Sequence, residues 1–196
     1  MPHCAAMASL VLASSSPRRR ELLAQIGVEP ARVTSPDVDE SALKRELPAA
    51  YALRLAEAKA CAVARRDGEI VLAGDTAVAV GRRILPPADS EAVQRELLAL
   101  LSGRRQTVLT AVAVIDTAGQ LRSRLSTSFV TFKRLEAAEI DAYVASGEGL
   151  GKAGGYAIQG HAAGFIRWMS GSYSGVVGLP LFETRALLRT AGLDVV

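Results

Sequence analysis

The stretch Val11-Leu12-Ala13-Ser14-Ser15-Ser16-Pro17-Arg18-Arg19-Arg20 constrains this chain more than any other segment. It reads as a short buried strand that stops in three hydroxyls and restarts as a helix. Ser16 can cap that helix, Pro17 fits its first turn, where no N–H is needed, and Leu22, Leu23 and Ile26 follow at helical spacing. A strand feeding a helix N-terminus brings backbone N–H groups, serine hydroxyls and three guanidinium groups to one end of a sheet. Such an end suits a phosphate, because the N–H groups and the helix dipole favour anions and Arg holds phosphate oxygens in a bidentate fork. An ordinary helix start with a solvated Arg face accounts for the same residues.

The 196 residues suffice for one large domain or two small lobes around a substantial core. With 49% hydrophobic and 22% charged residues the composition is that of an ordinary globular protein. The net charge of +3 is spread along the chain without a basic tail or aromatic-interleaved strand, which argues against a nucleic-acid partner and fits an Arg-rich cleft for a small anion. Cys4, Cys61, His3 and His161 have no metal-ligand spacing, and Cys61, in an Ala-rich helical run, reads as a small core residue. There is no membrane-spanning apolar run and no secretory signal, so the expected compartment is the cytoplasm. Residues 1–7 read as a disordered extension before a single domain over 8–196.

Along the chain, Arg32 to Ser35 reads as a short strand running into Pro36-Asp37-Val38-Asp39-Glu40. A long amphipathic helix is predicted from Pro48 to Arg66, with Leu53, Leu55, Ala56, Ala60 and Val63 inward. Ile70-Val71-Leu72-Ala73 reads as a buried central strand ending at Gly74-Asp75-Thr76. A helix over Ser90 to Leu101 precedes two strands, Thr107 to Asp116 and Leu121 to Lys133, which form an antiparallel ribbon. A helix over Ala137 to Ala145, a Gly-rich stretch from Gly147 to Gly160, a strand around Phe165 to Met169, a loop from Gly171 to Gly178 and a helix over Leu179 to Ala191 complete the chain.

Two acidic loops, Asp37-Val38-Asp39-Glu40 and Gly74-Asp75-Thr76, offer hard oxygen ligands for Mg²⁺ or Mn²⁺. Asp75 stands just past a buried strand, the usual place for functional groups in an open α/β sheet. Asp37 and Asp39 read more readily as a solvated turn than as metal ligands. In the Gly-rich zone Lys152 supplies a cation for phosphate and Gln159 an amide for a base edge, although no Walker-type Gly-Lys-Ser/Thr is present.

Taken together, Ala13-Ser14-Ser15-Ser16-Pro17-Arg18-Arg19, Asp39-Glu40, Arg54 to Ala60, Gly74-Asp75-Thr76, Leu101-Ser102-Gly103, Lys152 to Gly160 and Gly171 to Leu181 resemble the Maf family of nucleotide pyrophosphatases. The resemblance implies an α/β, two-lobed fold with a long mixed central sheet flanked by helices, related to inosine triphosphate pyrophosphatases, and a homodimer. It implies metal-dependent (Mg²⁺ or Mn²⁺) cleavage between the α and β phosphates, giving a nucleoside monophosphate and pyrophosphate in a house-cleaning role. Carried over, Ser14, Arg18 and Arg19 hold the triphosphate, Lys59 offsets its charge, and Glu40 and Asp75 hold the metal. Asp75 also activates water, while Thr76 and Gln159 contact base or sugar. The Ile158-Gln159-Gly160 form resembles the branch acting on dTTP and UTP.

Three positions depart from the family's pattern: Pro86-Pro87 stands where Lys-Pro is usual, Gln106 where His is usual, and Gly151 where Asp is usual. The nearest cations in sequence to the lost lysine are Arg82 and Arg83. The losses at Pro86 and Gly151 make a catalytically weak or inactive nucleotide-binding regulatory relative the alternative to a working hydrolase.

Overall fold

The computed structural model of the chain describes residues 8–195, so the expectation for residues 1–7 lies outside the described residues. β1 (Ser9–Ala13) runs into α1 (Pro17–Gln25), and β2 (Arg32–Thr34) follows. A long irregular segment leads to α2 (Pro48–Cys61), then β3 (Glu69–Val80) and β4 (Arg83–Leu85). The chain continues through α3 (Glu91–Leu101), β5 (Arg105–Ile115), β6 (Leu121–Phe132) and α4 (Ala137–Ala145). A 3₁₀ turn at His161–Phe165 enters β7 (Ile166–Ser170), and α5 (Tyr173–Val177) and α6 (Leu181–Thr190) complete the fold.

The strands form one seven-stranded mixed sheet in the order β2-β1-β3-β5-β6-β7, with β4 also on β3. β1 lies parallel to β2 and β3, whereas the β3–β5–β6–β7 part is antiparallel. At one end, α3, α4 and the Gly-rich segment bury Leu98, Leu101, Val130, Phe132 and Tyr156. At the other, α1 and α6 cover Leu12, Leu72 and Val112 on one face, and α2 covers Val71, Ala73 and Ala111 on the opposite face. Small residues meet across that second layer: Ala52, Ala56 and Ala60 on α2 pack against Ala73, Ala77, Ala79, Ala111 and Ala113 on the sheet. Without bulky side chains between them helix and sheet approach closely, and Lys59 on the same helix reaches the strand.

Several boundaries differ from the sequence reading. β3 does not end at Ala73 but continues to Val80, because β5 pairs with it from Val71 to Ala79. Asp75 is therefore inside a strand. α2 stops at Cys61 rather than Arg66, since the chain must turn before entering β3 at Glu69. Cys61 itself is exposed, not a core residue, as the Ala face of α2 points the other way. The segment from Gly171 to Gly178 is not all loop: Tyr173–Val177 is a helical turn capped by the Ser172 hydroxyl.

Candidate active site

The site forms at a gap along one edge of β3. β1 pairs with that edge as far as Ala13 opposite Ala73, and β4 takes it up again from Val78. Between them, Gly74 to Ala77 have β5 on their other side and no described strand on this one. Gly74 suits the edge of the gap, because a Cβ there would lie a tight 3.2 Å from the Ala111 carbonyl oxygen and in contact with Arg19 Nε at 3.5 Å. Alternation along β3 turns Asp75 toward α2, with Ala73 and Ala77, and Thr76 toward the other face.

On the α2 side Lys59 Nζ stands 2.7 Å from Asp75 Oδ1 and 2.7 Å from Glu40 Oε1. Asp75 is only 6% exposed. Burial pushes its carboxyl above the ordinary carboxylate range, while the Lys59 and Arg19 cations pull it back down. Glu40 arrives on the irregular segment before α2, where sequence spacing offers it no partner. Three residues on or next to α2 fix that segment. Tyr51 donates its hydroxyl to the Glu40 carbonyl at 3.0 Å, with burial and the Asp75 and Glu40 charges pushing its phenol up to about 12. Arg54 donates to both carboxylate oxygens of Glu46 (2.7 and 2.8 Å) and to the Ser41 carbonyl. The Asp39 carboxylate is spent locally, accepting from the Ser41 N–H, which holds its pKa below the usual range. Neither Asp37 nor Asp39 lines the cavity.

The Ser-Arg loop divides its labour. The Ser14 hydroxyl accepts from the Ser16 N–H (3.2 Å) and from Arg19 Nη1 (3.0 Å), while Arg19 Nε donates to the Gly178 carbonyl at 2.8 Å. Arg19 thus ties the loop after β1 to the segment after α5, and burial lowers the pKa of its guanidinium. Ser16 caps α1 by position only, its hydroxyl making no capping bond. Arg18 lines the cavity and makes no hydrogen bond or ion pair among the described residues, so its fork is free for a ligand.

The main cavity, about 270 Å³, is lined by Ser15, Ser16, Arg18, Arg19, Glu40, Lys59, Asp75 and Lys152 at a charged end. Val78, Pro87, Val108, Tyr156, Ala157, Val176 and Val177 contribute to a mostly apolar wall, along with Thr76 and Gln159. Ser14 lines a smaller adjoining cavity of about 70 Å³ that shares Arg19, Glu40 and Lys59. Lys152 is held by its own Nζ donating to the Glu148 carbonyl, and burial together with neighbouring Arg18 lowers its pKa.

The departures from the family pattern acquire places. Pro87, not Pro86, is on the cavity wall, in a strap that pairs with the Lys152 loop through Ala88 N to Lys152 O (3.1 Å) and Gly151 N to Ala88 O (2.8 Å). Arg82 and Arg83 are exposed at the β3–β4 turn and do not line the cavity. Gly151 has a φ of +69°, a left-handed conformation that glycine adopts without cost. Gln106 is 1% exposed on β5, opposite Val130 in the core rather than at the site.

A divalent cation fits this donor set. Glu40 and Asp75 point carboxylate oxygens at one ammonium, and hard oxygen ligands suit Mg²⁺ or Mn²⁺. The described residues hold no group of three or more His, Cys, Asp or Glu able to bind a metal alone, so a cation held here would need oxygen ligands from outside the protein as well. The chemistry available is therefore an anionic, oxygen-rich ligand held between cations, beside a buried carboxylate able to take a proton. No described helix is long and apolar enough to cross a membrane.

A family model described as Maf-like protein matches residues 9–191. A protein of Sphingopyxis alaskensis named dTTP/UTP pyrophosphatase is 63% identical over 189 residues, covering 96% of this chain and 100% of its own. One of the same name from Novosphingobium aromaticivorans is 63% identical over 187 residues, covering 95% and 93%. Among solved structures, a HAM1 protein from Coxiella burnetii aligns with a TM-score of 0.49 at 14% identity, over 94% of this chain and 100% of that one.

Proposed function

The chain belongs to the Maf family, and from that premise we propose that it hydrolyses dTTP and UTP to the nucleoside monophosphate and pyrophosphate, with Mg²⁺ or Mn²⁺. The observation that carries this reading is the Glu40–Lys59–Asp75 cluster at the floor of a cavity with a cationic and an apolar end. A triphosphate bears about four negative charges, so attack by water at phosphorus meets strong repulsion that fixed cations relieve. Arg18 and Lys152 bind and orient the phosphates, with the Ser15 and Ser16 hydroxyls beside them. Glu40 and Asp75 would hold the metal, which when bound supplies Lewis-acid polarisation of phosphate oxygens. The Asp75 oxygen not engaged by Lys59 takes the proton from the attacking water. Burial favours that transfer by raising the carboxyl's basicity. The new bond forms from the water oxygen to the α-phosphorus, and the bond from that phosphorus to the bridging oxygen breaks, releasing pyrophosphate.

Thr76 and Gln159, which line the same cavity, contact sugar or base, and the Val78–Val108–Val176–Val177 wall receives the ring. The relatives' names support the pyrimidine choice. We place the protein in the cytoplasm as a homodimer; the dimer is supported by the half-exposed Trp168 on the edge strand β7 and by the exposed Tyr173 and Phe182. The regulatory alternative loses ground, because Arg18, Lys59, Lys152 and both carboxylates surround the cavity despite the departures at Pro86 and Gly151. The test is incubation with dTTP, UTP, CTP, GTP and 7-methyl-GTP plus Mg²⁺ or Mn²⁺, with an EDTA control and product identification. Monophosphate and pyrophosphate from dTTP and UTP support the proposal. Binding without turnover across the panel would favour the regulatory alternative.

A further inference from the structure

We infer that Thr110 is a positioning residue that sets the width of the base end of the cavity and, through it, the choice of substrate. Thr110 sits on β5 directly opposite Thr76 and is 1% exposed. Its hydroxyl lies 2.7 Å from the Gly175 carbonyl oxygen and 3.1 Å from Thr76 Oγ1. Its neighbours on the same face of the strand, Val108 and Val112, are both buried valines. A valine would pack equally well at 110, so packing alone does not call for the hydroxyl, and a buried hydroxyl is unfavourable unless bonded.

Gly175 is the middle residue of α5, a helix of five residues and too short to hold itself in place. The N–H groups of Gly178 and Leu179 both turn to the Ser174 carbonyl, which leaves the Gly175 carbonyl to Thr110. Val176 and Val177 follow immediately on the cavity wall, and Thr76 stands on the sheet side of the same cavity. One buried hydroxyl therefore spans the two sides between which the base must fit. Losing it removes the tie between the middle of α5 and Thr76, while the Ser128–Ser172 and Arg19–Gly178 bonds still hold the two ends of α5. Ground-state fit of the base then suffers, while the Asp75 cluster, on the opposite face of β3, is untouched.

This inference rests on the hydrolysis of pyrimidine triphosphates proposed above. The experiment compares Thr110→Val and Thr110→Ser with wild type, measuring kcat and KM for dTTP and dGTP together with the melting temperature. Thr110→Val is expected to raise KM for dTTP about threefold to tenfold with kcat nearly unchanged, the scale of one lost hydrogen bond. It is expected to narrow the dTTP-over-dGTP preference by a similar factor, and Thr110→Ser to restore both. Thr110→Ala serves for the same readings should the valine variant not accumulate. A valine variant that melts lower yet keeps wild-type KM and preference reduces Thr110 to a structural role and overturns the inference alone. A wild-type chain inactive on both dTTP and UTP overturns the reading of the reaction, and the inference with it.

Discussion

Replacing Arg19 by lysine keeps its positive charge beside Asp75 but removes the fork. Arg19 donates through Nη1 to Ser14 Oγ at 3.0 Å and through Nε to the Gly178 carbonyl at 2.8 Å, two acceptors on segments far apart in sequence. A lysine ammonium, a point donor on a flexible stem, cannot reproduce that planar pair. At least one hydrogen bond from a charged donor is lost, on the order of 1.5–3 kcal/mol. For a chain of this length each kcal/mol moves the melting temperature by about 2–4 °C, so Arg19→Lys should melt roughly 3–12 °C below wild type. Activity should fall further than charge alone dictates, because the latch holds both the phosphate loop and the end of α5. Misplacement of about 1 Å can cost on the order of a hundredfold in kcat/KM. The assays are a thermal melt followed by circular dichroism, and steady-state pyrophosphate release from dTTP. A lysine variant that melts within a degree of wild type and retains its kcat/KM would refute the latch and leave Arg19 as a simple counter-charge.

Three further outcomes follow from the same contacts. Pro87→Lys should raise the rate on dTTP, because position 87 is on the cavity wall and the strap's hydrogen bonds use the backbone of Pro86 and Ala88 rather than its own; Pro86→Lys should not, and the reverse order in kcat/KM would contradict the placement. Arg54→Met, by releasing Glu46 and the Ser41 carbonyl, should loosen the segment that presents Glu40 and raise the Mg²⁺ concentration for half-maximal rate about tenfold or more, read by metal titration. Glu69, bonded by Arg32, and Asp116, bonded by Arg122, both have depressed folded-state pKa values. Their stabilisation is present above the unfolded values of about 4 and is lost as pH falls through the folded ones, so the melting temperature should decline below roughly pH 4 and decline less in Glu69→Gln.

Local chemistry made parts of this molecule readable from its residues. The α1 start at Pro17, the α4 limits at Ala137 and Ala145, and the antiparallel β5–β6 ribbon follow from helix-start residues, turn residues and alternation, and they stand within two residues of where those signals put them. The strand through Asp75 was misread because its length is imposed by β5, a partner more than thirty residues later, and not by its own composition. Cys61 was misread because an Ala-rich helix presents small residues on every face, and only packing decides which is inward.

The same division holds at the candidate site. Residue type pointed to Arg18, Lys59, Asp75 and Lys152, which all line one cavity. It could not separate Arg18, whose fork is free, from Arg19, whose donors are spent on Ser14 and Gly178, since the two are adjacent and chemically identical. Tyr51, Arg54 and Glu46 were missed as the supports of Glu40. Thr110 was missed because one threonine in a run of strand formers carries no signal until its neighbours in space are known.

The most direct test of the account is turnover of dTTP by wild type and Asp75→Asn side by side, with nucleotide binding measured on both. The account predicts metal-dependent release of pyrophosphate by wild type, loss of turnover in the variant by about a hundredfold or more, and nucleotide affinity largely retained, since Arg18 and Lys152 remain. Turnover by Asp75→Asn at the wild-type rate would contradict it, removing the buried carboxylate from the chemistry.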